Sequence, residues 1–339
     1  MHTTTQDKQI LDRIQEKLRK QYGMRVENAA PIARGLLNLK WRLETNKGAW
    51  FVKCYSTERY GKHGARVWEE IEHALTKQAE LRALDGLCPN LLEPAEGESY
   101  MQRTPEGDRF VVMELCEGRL IEAGTMSAGQ MYSLGRAAAR MHRAWNDAGV
   151  QAQGDSTLKP LWPLSREQME QTWEERWAHA VENGSAGVRS AMQLQGAIIR
   201  ALRDEDLVEG TPGWTHLDLW ADNLLFHDHA LSAVVDFDRV RYAYPRLDLG
   251  RAVLSCTLRD GTFCEEPIAA FAEGYRSVRP DELPRGGLLA AVRHVWCVES
   301  FWWIHAGMES FSVAPARFAS EMVDTAKQWE ALEAILGGV

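Results

Sequence analysis

The feature that most constrains the fold of this 339-residue chain is a change of hydrophobic period along its length. Up to about Leu115 short apolar runs alternate with turn residues, and beyond Ser127 the apolar positions recur at helical spacing. Ile10, Ile14, Leu18 and Tyr22 predict an opening amphipathic helix closed by Gly23. Pro31 to Tyr55 then reads as short strands broken at Gly35 and at Asn46-Lys47-Gly48. Trp68, Ile71, Leu75 and Ala79 mark a helix over 67–84. Tyr100 to Met101 and Phe110 to Leu115 predict two further strands around a Thr104 to Asp108 turn. Helices are expected at 127–145, 166–182, 186–204 and from 286 to 335. One strand-rich island, Trp214 to Phe237, interrupts them. The pattern predicts an α+β protein with a sheet lobe over 1–115 and a mainly helical lobe over 116–339 around a cleft.

Composition narrows the partners. The formal charge of -9 is spread along the chain rather than gathered in a tail, which argues against a nucleic-acid backbone as ligand. The six cysteines are scattered without metal-ligand spacing, as expected of reduced thiols in a cytoplasmic protein. No apolar run reaches the about 18 to 20 residues that span a bilayer, so no membrane association is expected. Residues 1–21 lack the basic-then-apolar order of a secretion signal.

The chemistry concentrates in the island. His216-Leu217-Asp218-Leu219-Trp220-Ala221-Asp222-Asn223 is followed by Val234-Val235-Asp236-Phe237-Asp238. Phosphoryl transfer needs a carboxylate to take the proton of an attacking hydroxyl and oxygen ligands to hold Mg²⁺ against phosphates. Asp218, Asn223 and Asp236 supply those residue types at the ends of short strands. Each one alone also suits a turn or a cap.

The HxDxxxxN pattern at His216, Asp218 and Asn223, with Asp236 beyond it, resembles the catalytic and metal-binding segments of the aminoglycoside phosphotransferase and choline kinase group. These are small-molecule relatives of protein kinases. Asp248-Leu249-Gly250 is similar to a downstream element of that group, and Leu134-Gly135 with Met141-His142 to an upstream helix. The resemblance implies a protein-kinase-like two-lobed fold, with Asp218 as base and Asn223 and Asp236 on Mg²⁺. His216 is expected to hold the turn through its imidazole, and Asp248 to anchor the loop. Asp238 is either a second acidic contributor near the metal or a turn residue.

The same resemblance implies that Lys53, at the end of Phe51-Val52, pairs with nucleotide phosphates. A carboxylate of the next helix would orient it: Glu72 by preference, with Glu69 and Glu70 open. Asn38 and Gly35 belong to the phosphate-covering segment, which lacks a GxGxxG pattern. The main chain at Glu114 and Cys116 would meet the adenine edge.

The expected substrates are therefore ATP, or GTP, and a small hydroxyl-bearing acceptor such as an aminoglycoside, an amino alcohol or a sugar. Only eleven residues separate Asp236 from Asp248, too few for a protein-docking segment. Trp162, Trp173, Trp177, Trp296, Trp302 and Trp303, with Glu174, Glu175 and Glu299, are candidates for the acceptor pocket or for the core. The competing expectation is a catalytically silent scaffold of the same fold, for example of spore-coat type.

Overall fold

The structure is a computed structural model that describes residues 4–33, 38–60, 64, 66–147, 160–161, 165–202, 211–283, 286–306 and 316–339. The chain divides into two compact units, Met1–Glu117 with Val235–Val240, and Gly118–Val234 with Arg241–Val339. The transfer of Val235–Val240 to the first unit was not anticipated.

In the first unit, α1 (Thr5–Tyr22) starts where the Thr4 hydroxyl and the Asp7 carboxylate cap each other's main-chain N–H. It ends at Gly23, whose φ of 60° suits a residue without Cβ. The sheet that follows is antiparallel and ordered β1-β2-β3-β5-β4, from β1 (Val26–Pro31), β2 (Leu39–Thr45), β3 (Gly48–Cys54), β4 (Gln102–Arg103) and β5 (Arg109–Glu114). Between β3 and β4 lie the short α2 (Thr57–Tyr60) and the long α3 (Arg66–Leu84).

The unbroken apolar run of β5 has a simple cause: both faces of the sheet are covered. Phe110 and Val112 pack with Ile14, Leu18, Trp41 and Val52 on the α1 side. Val111 and Met113 pack with Trp68, Ile71 and Leu75 of α3 on the other. The β4–β5 turn is fixed by the main-chain bond from Thr104 N to Asp108 O and by the Arg13 guanidinium, which grips Asp108 at 2.6 and 3.0 Å. That turn sets the strand at Gln102–Arg103 rather than at the expected Tyr100–Met101.

The second unit carries β6 (Arg119–Leu120), α4 (Ala128–Asn146), α5 (Arg166–Asn183), α6 (Ala186–Ala201) and β7 (Gly213–Thr215). Next come β8 (Leu224–His227), β9 (Ala230–Val234), β10 (Arg241–Ala243), α7 (Arg246–Thr257), β11 (Leu258–Arg259), β12 (Thr262–Phe263) and α8 (Glu265–Arg276). The chain closes with α9 (Gly287–Ala306), α10 (Ala316–Lys327) and α11 (Trp329–Gly338). Helices α4 and α8 touch backbone to backbone: a Cβ on Gly135 would fall 2.1 Å from the Phe271 carbonyl oxygen, and one on Gly274 2.2 Å from that of Tyr132. Helix α7 is buried from Leu247 through Thr257.

Two expected strands of the island are cut short. Trp214 to Leu219 is extended only over β7, because Leu217 turns to a φ of 58°, and the apolar run from Ala233 ends at Val234, because Asp236 adopts a φ of 65°. Among the described residues no helix is long and apolar enough to cross a membrane.

His294 of α9 is 2% exposed, and neither ring nitrogen has a hydrogen-bond partner among the described residues. Burial, reinforced by the charge of Arg246, pulls it down to about 3. The fold therefore holds the neutral ring while the unfolded chain takes up a proton below its ordinary value near 6.5. Stability from this site is complete above that value and is lost as pH falls toward 3, at up to about 1.4 kcal/mol per pH unit. Urea midpoints measured from pH 7 to pH 4 should show this decline, and His294→Leu should flatten it.

Candidate active site

In the second unit, the loop after β7 is held by one carboxylate. Asp248, at the start of α7 and wholly buried, accepts the main-chain N–H of His216 at 2.8 Å and that of Leu217 at 2.7 Å. Its Oδ2 also lies 3.0 Å from His142 Nε2, and His142 Nδ1 lies 3.1 Å from the Tyr275 hydroxyl. Burial would raise the Asp248 carboxyl. The bond from His142, and the bond from the His216 N–H, hold it below the usual carboxylate range. An ionised Asp248 requires a proton on His142 Nε2.

This bracing explains how Leu217, a branched residue, keeps a left-handed backbone, a costly conformation that persists only where its surroundings impose it. The turn rotates the next residue, Asp218, into a half-buried position. Asn223 lies in a single 3₁₀ turn, Ala221–Asn223, and its Nδ2 donates to Asp218 Oδ2 at 2.8 Å and to the Asp218 carbonyl at 2.9 Å. The loop is pinned again where the Ser255 hydroxyl accepts the Ala221 N–H at 3.0 Å. The Arg251 guanidinium lies 3.6 Å from the centre of the Trp220 ring and pairs with Glu321 of α10.

His216 is fully buried, and the bond that ties it to Asp248 is made by its main-chain N–H. The expectation that its imidazole holds the turn is corrected to that extent.

In the first unit, Lys53 is 4% exposed, and its Nζ lies 2.7 Å from Asp236 Oδ1 and 2.6 Å from Asp238 Oδ2. Burial works against its charge, but Asp236 and then Asp238 outweigh it and hold the ammonium above the ordinary lysine value. Among the described residues Lys53 makes no ion pair with a carboxylate of α3. Glu72 accepts from the Ser99 hydroxyl at 3.4 Å, Glu70 pairs with Arg66 at 3.0 Å, and Glu69 is exposed. The reason is helical phase: the face of α3 turned to the sheet is filled by Trp68, Ile71 and Leu75.

Asn38 accepts the Ser56 N–H at 3.2 Å and donates to the Tyr60 hydroxyl at 3.3 Å, so it braces the chain beyond β3. Gly35 lies outside the described residues. Glu114 gives its N–H to the Asn90 carbonyl at 2.8 Å, which leaves only its carbonyl for a base. The Cys116 N–H makes no hydrogen bond among the described residues. Its thiol is pushed up to about 11 by burial and then by Glu114.

A metal would need oxygen donors. Because Asn223 turns its amide nitrogen to Asp218, its oxygen remains as an acceptor, and Asp236 is an exposed enough carboxylate, with 32% of its side chain open. Each is an oxygen donor of the kind that Mg²⁺ takes. Among the described residues no three His, Cys, Asp or Glu side chains form a ready-made cage.

Of the acceptor-pocket candidates, Trp173 and Trp177 stack at 5.4 Å, with Trp173 Nε1 donating to the Met192 carbonyl at 2.8 Å. Trp296 is buried against Trp329. These three belong to packing between helices. Trp162 and the side chains of Glu299, Trp302 and Trp303 lie outside the described residues.

Comparison with known proteins gives the framework for this geometry. The model of the phosphotransferase enzyme family matches residues 28–286. The chain belongs to that family. Among its curated relatives, homoserine kinase of Methylobacterium radiotolerans is 29% identical over 256 residues, covering 74% of this chain and 71% of the relative. Homoserine kinase of Brucella anthropi is 26% identical over 297 residues, covering 83% and 81%. Among solved structures, a spectinomycin phosphotransferase in complex with ADP and spectinomycin superposes with a TM-score of 0.61 at 13% identity over 94% of this chain and 98% of that one. An aminoglycoside phosphotransferase from Alicyclobacillus acidocaldarius gives 0.57 at 15% identity, over 92% and 90%. The fold is the protein-kinase-like one that the sequence led us to expect, and the chain is a phosphotransferase.

Removing the Asp248 carboxylate leaves two buried main-chain N–H groups without acceptors. Asp248→Ala should therefore cost about 3 kcal/mol or more, at roughly 1–3 kcal/mol per abandoned donor. Thermal unfolding measures this directly, and Asp248→Asn, which retains one carbonyl oxygen, should lose less.

Proposed function

We propose that this chain transfers the γ-phosphate of ATP to the hydroxyl of a small amino alcohol, with homoserine the first acceptor to test. The observation that carries the reading is the bond from Asn223 Nδ2 to Asp218 Oδ2, on a loop pinned by Asp248 and Ser255. A carboxylate held in that way is oriented to take the proton of an attacking hydroxyl. The homoserine kinases among its relatives support the acceptor class. Solved relatives of the fold with bound ADP or GDP support the nucleotide.

In this reading Asp218 takes the hydroxyl proton as the acceptor oxygen bonds to the γ-phosphorus. The bond from that phosphorus to the β,γ-bridging oxygen breaks, and ADP leaves. Lys53 neutralises phosphate charge in a buried setting, where a fixed cation acts more strongly than in water. The main chain at Cys116, and the Glu114 carbonyl, would meet the adenine. Asn223 and Asp236 would supply oxygen donors for Mg²⁺, which would offset the charge that develops on the phosphates. No residue type of this set is missing, which disfavours a silent scaffold.

The test is ADP release with Mg-ATP or Mg-GTP over a panel of homoserine, choline, simple sugars and aminoglycosides. Homoserine-dependent release is expected, reduced on the order of 10²-fold or more in Asp218→Asn while nucleotide binding persists. Release with an aminoglycoside and none with homoserine would reassign the acceptor. Undiminished turnover in Asp218→Asn would remove the base from the mechanism.

A further inference from the structure

The two carboxylates on Lys53 do not have equivalent surroundings. Asp236 has 32% of its side chain exposed on a left-handed backbone, whereas Asp238 has 14% exposed and is gripped from the protein side. The Tyr55 hydroxyl donates to Asp238 Oδ1 at 3.1 Å, and the Tyr60 hydroxyl approaches Oδ2 at 3.5 Å. Tyr60 in turn accepts from Asn38. Both tyrosines pack edge-on or tilted against each other and Trp68 of α3, with ring centres 5.4 to 6.3 Å apart. Asp238 itself sits in the 3₁₀ turn Phe237–Arg239, which packs against α3.

We propose that Asp238 is the positioning residue for Lys53, held by the hydroxyls of Tyr55 and Tyr60, in the place a glutamate of α3 was expected to fill. The proposal rests on the reading of Lys53 as the phosphate-binding lysine. A buried ammonium needs a counter-charge that stays when the site changes occupants. The more exposed Asp236 is suited to exchange Lys53 for another cation. Asp238, fixed by two hydroxyls, keeps the Nζ in place while the remaining ammonium protons face phosphate oxygens.

The experiment is a double-mutant cycle of Asp238→Asn with Lys53→Met, read by calorimetric titration of metal-free ATP and by steady-state kinetics with Mg-ATP. A simple charge effect of Asp238→Asn would strengthen ATP binding in both backgrounds, since an anion is removed beside an anionic ligand. Positioning predicts the reverse: a loss of threefold or more when Lys53 is present and less than 1.5-fold change in Lys53→Met. It also predicts a kcat about tenfold lower, with the acceptor KM unchanged. Tyr55→Phe, which keeps both charges and frees Asp238 of its closer hydroxyl, should move the same quantities in the same direction by less, and serves if Asp238→Asn folds poorly. Equal effects in both backgrounds, or tighter ATP binding in both, would overturn the proposal. An unchanged ATP affinity in Lys53→Met alone would overturn the reading of Lys53 and the proposal with it.

Discussion

The loop after β7 depends on a carboxylate that never meets water. Asp248 is buried on all sides, and two main-chain N–H groups and His142 converge on it. A charge so placed is tolerable only when its oxygens are fully engaged, and that requirement forces His216 and Leu217 into a single arrangement. The left-handed Leu217 is the local cost of the arrangement, and the orientation of Asp218 is its product. Tyr275 and His142 complete the chain of bonds from α8 through α4 to the loop, and the glycine contacts between those helices bring them close enough to form it.

The first unit has a parallel logic with the sign reversed. Lys53 is a buried cation at the end of β3, and the carboxylates of Asp236 and Asp238 make its burial possible. The left-handed backbone at Asp236 ends the apolar run of β9 and turns both carboxylates of the Asp236-Phe237-Asp238 segment toward one ammonium. Left-handed non-glycine backbone thus occurs at Leu217, beside Asp218, and at Asp236 itself.

Much of this was legible in the sequence because the signals are local. Period-two and period-3.6 runs mark β2, β3, β5 and most helices, and the resemblance carried by HxDxxxxN with a later aspartate points to the loop after β7. Other features were illegible because they depend on phase or on distant partners. Trp68, Ile71 and Leu75 turn the inner face of α3 apolar, so Glu72 looks elsewhere, and nothing in residues 66–84 says that Asp238, 185 positions after Lys53, lies against its ammonium. The Tyr275 hydroxyl reaches His142 across 133 residues. A main-chain role such as that of the His216 N–H leaves no side-chain signature.

The most direct measurement of the central claim is phosphorus-31 NMR of the protein with Mg-ATP and homoserine. The account predicts a new phosphate monoester resonance coupled to the methylene protons of the acceptor, growing in equal amount with ADP. ADP accompanied only by inorganic phosphate, with no ester at any acceptor concentration, would contradict it.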